Sequence, residues 1–177
     1  MSSENLTRTE WVRDAMARYE TPLIRYAQRF TGSLETAQDV VQDTFFKLCV
    51  AEQAQVDGHL APWLYRVCRN RALDVVKKEQ RMRPLSDVEM ATQASTAAPP
   101  NVVAENEETG AMIQAAMKAL PDAQEEAFRL KFQDRLSYKE IGDVTGQTTN
   151  QVRYHIHSAL KTLREKLRGQ LNLATEL

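Results

Sequence analysis

Hydrophobic positions along the chain recur at helical spacing, and no segment alternates as a half-buried strand would. This spacing occupies two stretches, residues 6–81 and 105–171. The stretch 82–108 is rich in Ala, Ser, Thr, Pro and acidic side chains, a composition typical of a flexible linker, which we place at residues 82–104. We therefore predict an all-α fold, in which two small helical domains are joined by a flexible acidic linker.

The first unit carries several helix signals. Thr7 and Glu10 form a capping-box pattern that predicts the start of a helix, and Pro22 fits the first turn of a second one. The remaining predicted elements are a helix over Leu34–Ala51, a loop through Gln53–His59 and a long helix from Pro62 to about Gln80. Two apolar stripes are expected to face the core: Ala37, Val40, Val41, Thr44, Phe45 and Leu48 on one helix, and Leu64, Val67, Cys68, Ala72, Val75 and Val76 on the next.

The second unit ends in the outline of a helix-turn-helix, Ser137–Leu167, preceded by a helix before Leu120 and another over Asp122–Phe132. Ser137 and Glu140 fit a capping box, and Gly146 fits a helix stop. Thr148 or Thr149 can cap the next helix. The buried stripe of that helix is predicted as Val152, Ile156, Leu160, Leu163 and Leu167.

The opposite face of this last helix is polar at its start. Its side chains can reach base edges and phosphates: Thr149, Asn150, Gln151, Arg153, Tyr154 and His157. An ordinary amphipathic helix pair with a solvated face is the alternative, and the two-helix pattern alone favours neither.

The net charge of −1 hides a strong segregation of charge. Residues 63–83 carry a local balance of +5, residues 150–168 carry +4, and residues 84–126 carry −7. Two basic patches separated by an acidic spacer suggest two contacts with a polyanion.

Other classes of protein find little support. No apolar run is long enough to span a membrane, and the first residues lack the apolar core of a signal peptide. Cys49 and Cys68 have no metal-ligand spacing, so we expect reduced, buried thiols in a cytoplasmic protein. His155 and His157 are two residues apart and would point to different helix faces. Without a phosphate-binding glycine loop or a nucleophile motif, we expect no enzymatic activity, no cofactor and no metal site.

One surface of the helix Leu34–Ala51 combines carboxylates with an aromatic ring. Asp39, Gln42, Asp43 and Phe46 fall at positions i, i+3, i+4 and i+7, so they share a face. An exposed aromatic among carboxylates favours docking of a partner. The alternative is a solvated acidic face with Phe46 folded into the core, and periodicity alone favours that alternative.

The long basic helix offers a second surface. Its exposed side is predicted to carry Arg66, Arg69, Asn70, Lys77 and Lys78, with the aromatic residues Trp63 and Tyr65 at its start. Cations follow phosphates, while an amide and aromatic rings hold unstacked bases. This combination suits melted DNA better than an intact duplex, although Trp63 is expected to belong at least partly to the core.

Three segments resemble a known family. DVVQDTFFKL (Asp39–Leu48) and WLYRVCRNRALDVV (Trp63–Val76) resemble the second conserved region of bacterial sigma factors. ALPDAQEEAFRLKFQDRLSYKEIGDVTGQ (Ala119–Gln147) resembles the start of their fourth region. The order and spacing of both regions are similar to those of the extracytoplasmic-function (ECF) branch.

The resemblance implies roles for the surfaces described above. Asp39, Gln42, Asp43 and Phe46 would bind the clamp helices of the largest subunit of core RNA polymerase. Asn70 and the loop Gln53–His59 would capture a base of the minus-ten element, and Trp63, Arg66, Arg69, Lys77 and Lys78 would hold that DNA. The helix Thr149–Arg168 would enter the major groove at the minus-thirty-five element.

The resemblance also implies a setting. The chain would act as a single copy on polymerase and promoter DNA, under an anti-sigma factor that is often membrane-anchored. Two rivals stay open: a helix-turn-helix regulator that never joins polymerase, and an adaptor that sequesters another factor.

Overall fold

The computed structural model describes residues 3–82 and 112–175, with side chains described for 8–82 and 112–168. The chain divides into two compact units, Met1–Thr96 and Ala97–Leu177. Every regular element in the described ranges is a helix. The all-α, two-domain prediction is therefore confirmed, while the predicted linker at 82–104 lies almost entirely outside the described residues.

Helix α1, Ser3–Thr31, replaces the two helices predicted from the sequence. It passes through Thr7 without starting there, and Pro22 lies inside it. A proline inside a helix removes one backbone hydrogen bond. Val12 and Ala15 before the proline, and Leu23 after it, are all buried. Because one continuous helix buries both apolar segments on the same neighbours, we attribute the uninterrupted helix to this burial.

The first unit is built by mutual packing of α1, α2 (Leu34–Val50) and α4 (Leu60–Met82), with the short helix α3 (Gln53–Val56) between the last two. All six positions of the predicted α2 stripe are buried. In α4, Leu64, Cys68 and Ala72 are buried as predicted, whereas Val67, Val75 and Val76 are only half-buried. Helix α3 occupies part of the predicted loop, where Val56 contributes an apolar side chain that is fully buried.

The second unit contains α5 (residues 112–118), α6 (Asp122–Phe132), α7 (Tyr138–Thr145) and α8 (Thr149–Thr175). The bounds of α6 are those predicted. Helices α6, α7 and α8 pack on one another. The buried part of α5 joins α8 in a cluster made by Ala116, Met117, Leu120, Ala159 and Leu163.

One position of the predicted α8 stripe is wrong. Leu160 is 39% exposed, and Ala159 is buried in its place. At about 100° per residue, Ala159 falls about 20° from Val152 around the helix, whereas Leu160 falls about 80° away. Leu160 therefore lies at the edge of the apolar stripe and the smaller Ala159 lies within it.

The turn between α7 and α8 is fixed by local hydrogen bonds. The capping box of α7 is present: Glu140 N–H donates to Ser137 Oγ (3.2 Å), and Ser137 N–H donates to Glu140 Oε2 (2.7 Å). Gly146 ends the helix with φ of +74° and donates its N–H to Gly142 O. A β-carbon at Gly142 would lie 2.6 Å from Gln147 O, so the turn packs tightly on this position. Both predicted signals, the cap and the stop, are confirmed.

Candidate protein and nucleic-acid interfaces

The outer face of α2 carries the four side chains grouped by their spacing. Ser33 caps the helix by accepting from Thr36 N–H, and the buried stripe on the opposite side fixes the rotation of the helix. Asp39 and Gln42 are exposed, Asp43 is half-buried, and Phe46 is 70% exposed. The alternative that folds Phe46 into the core is therefore excluded.

The apolar part of this face is larger than the sequence analysis indicated. Val50, one helical turn beyond Phe46, is also 70% exposed. The signal was available, since Val50 follows Phe46 at i+4. Exposed aromatic and aliphatic side chains in a row beside carboxylates are typical of a surface that binds protein.

An ion pair links this face to the neighbouring helix. Arg71 of α4 donates from Nε to Asp43 Oδ2 at 2.7 Å, and both side chains are about half-exposed. Sequence reasoning missed Arg71 because the two residues are 28 positions apart and no local pattern connects them.

The basic side of α4 is placed largely as predicted. Arg66, Asn70, Lys77 and Lys78 are exposed, while Trp63 and Arg69 are half-buried. At about 100° per residue, Arg66, Asn70 and Lys77 lie within about 40° of one another, and Lys78 lies about 120° from Arg66. One helix face thus presents two cations and an amide, with a half-buried indole near its start.

Tyr65 does not belong to this face. It is 2% exposed, and its ring packs edge-on against Tyr26 with centroids 5.1 Å apart. Tyr26 in turn packs edge-on against Phe30. The expectation that Tyr65 offers a surface for bases is therefore wrong, because an aromatic cluster of the core holds the ring.

The start of α8 presents all six side chains predicted for base and phosphate contact. Thr149, Asn150, Gln151, Arg153, Tyr154 and His157 are exposed. Tyr154 is 66% exposed. His155 lies between them in sequence but is half-buried, and its Nδ1 is buried without a hydrogen-bond partner in the described part of the chain.

Gln151 has a structural role that its polar character did not reveal. The cap of α8 is Thr148, whose N–H and hydroxyl both donate to Gln151 Oε1 (2.9 and 3.0 Å). Gln151 N–H donates back to Thr148 Oγ1 at 3.3 Å. This reciprocal arrangement is a capping box with Gln at the third position. The Oε1 atom is therefore engaged in the cap, and the amide nitrogen is left for other contacts.

Two cationic side chains lie near the ring of Tyr138, beside the start of α8. Lys131 Nζ lies 5.0 Å from the centroid of the Tyr138 ring, and Arg153 Cζ lies 5.9 Å from it. Lys131 also donates to Leu136 O. Sequence reasoning missed Lys131 and Tyr138, because the helices α6, α7 and α8 bring these residues together only in the folded unit.

The two thiols differ in their surroundings. Cys68 is fully buried in α4, and this burial raises the pKa of its thiol to about 12. A hydrogen bond with the Thr44 side chain lowers the pKa, but by less than burial raises it. Cys49 is exposed on α2, so the expectation that both thiols are buried is wrong for this one. It lines a shallow cleft of about 340 Å³ with residues of α1.

Comparison with known proteins agrees with this arrangement. The family model of sigma-70 region 2 matches residues 15–82, and that of sigma-70 region 4 matches residues 110–163. Together they cover more than half of the chain. The chain belongs to the ECF sigma factors of RNA polymerase.

Two curated relatives are similar across most of this ECF chain. The ECF RNA polymerase sigma factor SigE of Mycolicibacterium smegmatis is 32% identical over 144 residues, which cover 81% of this chain and 56% of the relative. The ECF RNA polymerase sigma factor SigW of Bacillus subtilis is 28% identical over 160 residues, covering 85% of each chain.

Solved structures share the fold of this ECF chain. The sigma factor RpoE, crystallised with the anti-sigma factor NepR from Bartonella quintana, matches with a TM-score of 0.68 at 22% identity, covering 88% of this chain and 96% of RpoE. The structure of CnrH in complex with the cytosolic domain of CnrY matches with a TM-score of 0.59 at 21% identity, covering 91% and 90% of the two chains. At these identities the likeness establishes the fold.

Among the residues that the structure describes, no helix combines the length and the apolar character needed to cross a membrane.

Proposed function

We propose that this chain is a transient subunit that gives core RNA polymerase promoter recognition and local melting. It performs no catalysis of its own and acts in the cytoplasm as a single copy on polymerase. The observation that carries the proposal is the outer face of α2, where a 70% exposed Phe46 stands beside Asp39, Gln42 and Asp43. Phe46 and Val50, both 70% exposed one turn apart, form a contiguous apolar patch rimmed by polar side chains, which is typical of a surface that binds protein.

We assign the α2 face to the clamp helices of the polymerase largest subunit. Carboxylates recognise basic side chains, and Phe46 with Val50 supplies the apolar area that a stable contact needs. The family membership supports this assignment, because the segment that carries the face lies within the match to region 2.

We assign the α4 face to the minus-ten element. Arg66 and Lys77 are exposed cations on this face that suit phosphates, and Asn70 offers an amide for a base edge. Lys78, about 120° around the helix, is an exposed cation for the neighbouring backbone. Trp63 and Arg69 flank this surface and are half-buried, so part of each side chain is left for the DNA.

We assign the start of α8 to the minus-thirty-five element. Its exposed side chains are those of a recognition helix that meets the major groove with its first turns. Arg153, with Lys131 near the same Tyr138 ring, adds positive charge for the phosphate backbone. Because Gln151 Oε1 is held by the cap, we expect Gln151 to donate to a base rather than accept from one.

We also propose an anti-sigma partner. The support is by likeness: RpoE, which shares the fold, was crystallised with the anti-sigma factor NepR. The rival function, a helix-turn-helix regulator that acts without polymerase, is not favoured, since it gives the exposed α2 face no partner.

Charge reversal on the α2 face tests the proposal. Asp43→Arg should weaken binding of the full chain to core polymerase at least tenfold, because it replaces an attractive contact by a repulsive one. Equilibrium titration of labelled chain with core polymerase measures the effect. Binding of the full-length variant to minus-thirty-five DNA should not change, since the substitution lies in the other unit. Unaltered polymerase affinity would contradict the assignment.

A further inference from the structure

The four side chains of the α2 face, Asp39, Gln42, Asp43 and Phe46, differ in their hydrogen bonding. Within the described residues, the side chains of Asp39 and Gln42 make no hydrogen bond, whereas the Asp43 side chain accepts the 2.7 Å bond from Arg71 Nε. The bond engages a single carboxylate oxygen, Oδ2, and a single nitrogen of the guanidinium. Asp43 Oδ1 accepts nothing from Arg71, so both of its lone pairs are left for a further donor.

The pair stands on two well-packed helix segments. Thr44, next to Asp43, is fully buried and donates its hydroxyl to Val40 O at 2.8 Å. Ala72, next to Arg71, is fully buried as well. Because both backbones are fixed by the core, the hydrogen bond selects one direction for the Asp43 carboxylate.

Charge adds a second consequence. Asp39 and Asp43 are four residues apart on one helix, a spacing at which like charges repel. The Arg71 guanidinium, with Nε 2.7 Å from Asp43 Oδ2, offsets part of this repulsion. Polymerase side chains then meet an ordered acceptor, and ordering a side chain before association lowers the cost of binding.

We propose that Arg71 is a positioning residue for polymerase docking, which it serves by holding Asp43 in its binding orientation. This inference rests on the proposed function of the α2 face. Arg71 acts through Asp43, and it makes no contact with polymerase itself.

A double-mutant cycle on the full chain tests the inference, with affinity for core polymerase measured in the absence of DNA. Arg71→Ala should weaken binding about three- to tenfold, the effect of ordering a side chain or two. In the Asp43→Ala background the same substitution should have no further effect. Arg71→Lys should restore part of the affinity, because an ammonium keeps the charge but lacks the geometry of Nε. Arg25→Ala, which removes an exposed cation from α1 of the same unit, is the matched control and should bind as the parent does.

The outcomes separate the two proposals. If Asp43→Ala weakens binding and Arg71→Ala does not, the positioning role is overturned while the function of the α2 face stands. If Arg71→Ala weakens binding equally in both backgrounds, Arg71 acts independently of Asp43 and the inference is wrong. If neither substitution matters, both proposals fail. Thermal unfolding of each variant, followed by circular dichroism, shows whether a loss of affinity reflects a loss of fold.

Discussion

The two cysteine side chains give a residue-scale test of the first unit. Cys49 is exposed and Cys68 is buried, so a thiol reagent should modify one cysteine in the folded protein and both in denaturant. Cys49→Ser should abolish the fast reaction and leave the slow one. Rapid modification of two thiols in the folded chain would contradict the packing of α4.

The buried thiol also predicts a pH dependence. Burial raises the pKa of Cys68 to about 12, above its ordinary value of 9.0. Below pH 9 the thiol is protonated in both states. As the pH rises from 9 towards 12, the unfolded chain loses this proton while the folded chain keeps it, so this thiol lowers the free energy of unfolding. Urea titrations across that range, compared with Cys68→Ala, measure the contribution. A parent protein whose stability falls no more steeply than that of the variant would contradict it.

Asn70 is the residue with the most specific predicted role in melting. It is exposed between Arg66 and Lys77 on one face of α4. Removing a base from the stack costs a few kcal/mol, which contacts to the flipped base must offset. Asn70→Ala should therefore reduce promoter opening by polymerase more than promoter binding, as measured by permanganate reactivity and by gel shift. A promoter template opened in advance should remove the defect. An equal defect on both templates would place Asn70 in binding alone.

At this scale the sequence predicted exposed polar residues better than buried aromatic ones. The helical period placed Asp39 and Gln42 on one exposed face, but it favoured a buried Phe46, which is exposed. Tyr65 was misplaced because its burial depends on Tyr26, 39 residues earlier, and Arg71 was missed because its partner lies in another helix. Contacts between helices leave no local signal in either case.

At the scale of elements, the turn before α8 is the most sharply specified feature. Gly146 has φ of +74° with open space around its α-carbon, so a β-carbon would meet no neighbour and would act only on backbone conformation. Gly146→Ala should lower the free energy of unfolding by about 1–2 kcal/mol. Urea unfolding measures this, with Lys139→Ala on the exposed side of α7 as the control. A variant as stable as the parent would contradict the left-handed cap.

Element boundaries were predictable where caps and stops are local. The capping box of α7, the stop at Gly146 and the bounds of α6 required only neighbouring residues. The single helix α1 was not predictable from local signals. Proline favours the first turn of a helix, but apolar side chains on both sides of Pro22 are buried, and this burial keeps the helix continuous. The burial of Ala159 in place of Leu160 could have been predicted from the sequence, because a rotation of about 100° per residue places Ala159 nearer the centre of the α8 stripe.

At the scale of the whole molecule, the two units share one fold class, and we propose a separate task for each. Both family matches fall where the sequence pattern placed the helical units, and each match overlaps one of the two basic stretches. The tether at residues 82–104 stays a prediction from composition. The central claim is that the chain brings polymerase and promoter together through the α2 face, the α4 face and the start of α8.

Promoter-dependent run-off transcription with purified core RNA polymerase tests that claim most directly. Promoters enriched with this chain and polymerase supply the template. The account predicts a transcript of defined length that requires the chain, the core enzyme and an intact minus-thirty-five element, and that Asp43→Arg suppresses. Tight promoter binding by the chain without any such transcript would contradict the account and favour a regulator that acts outside polymerase.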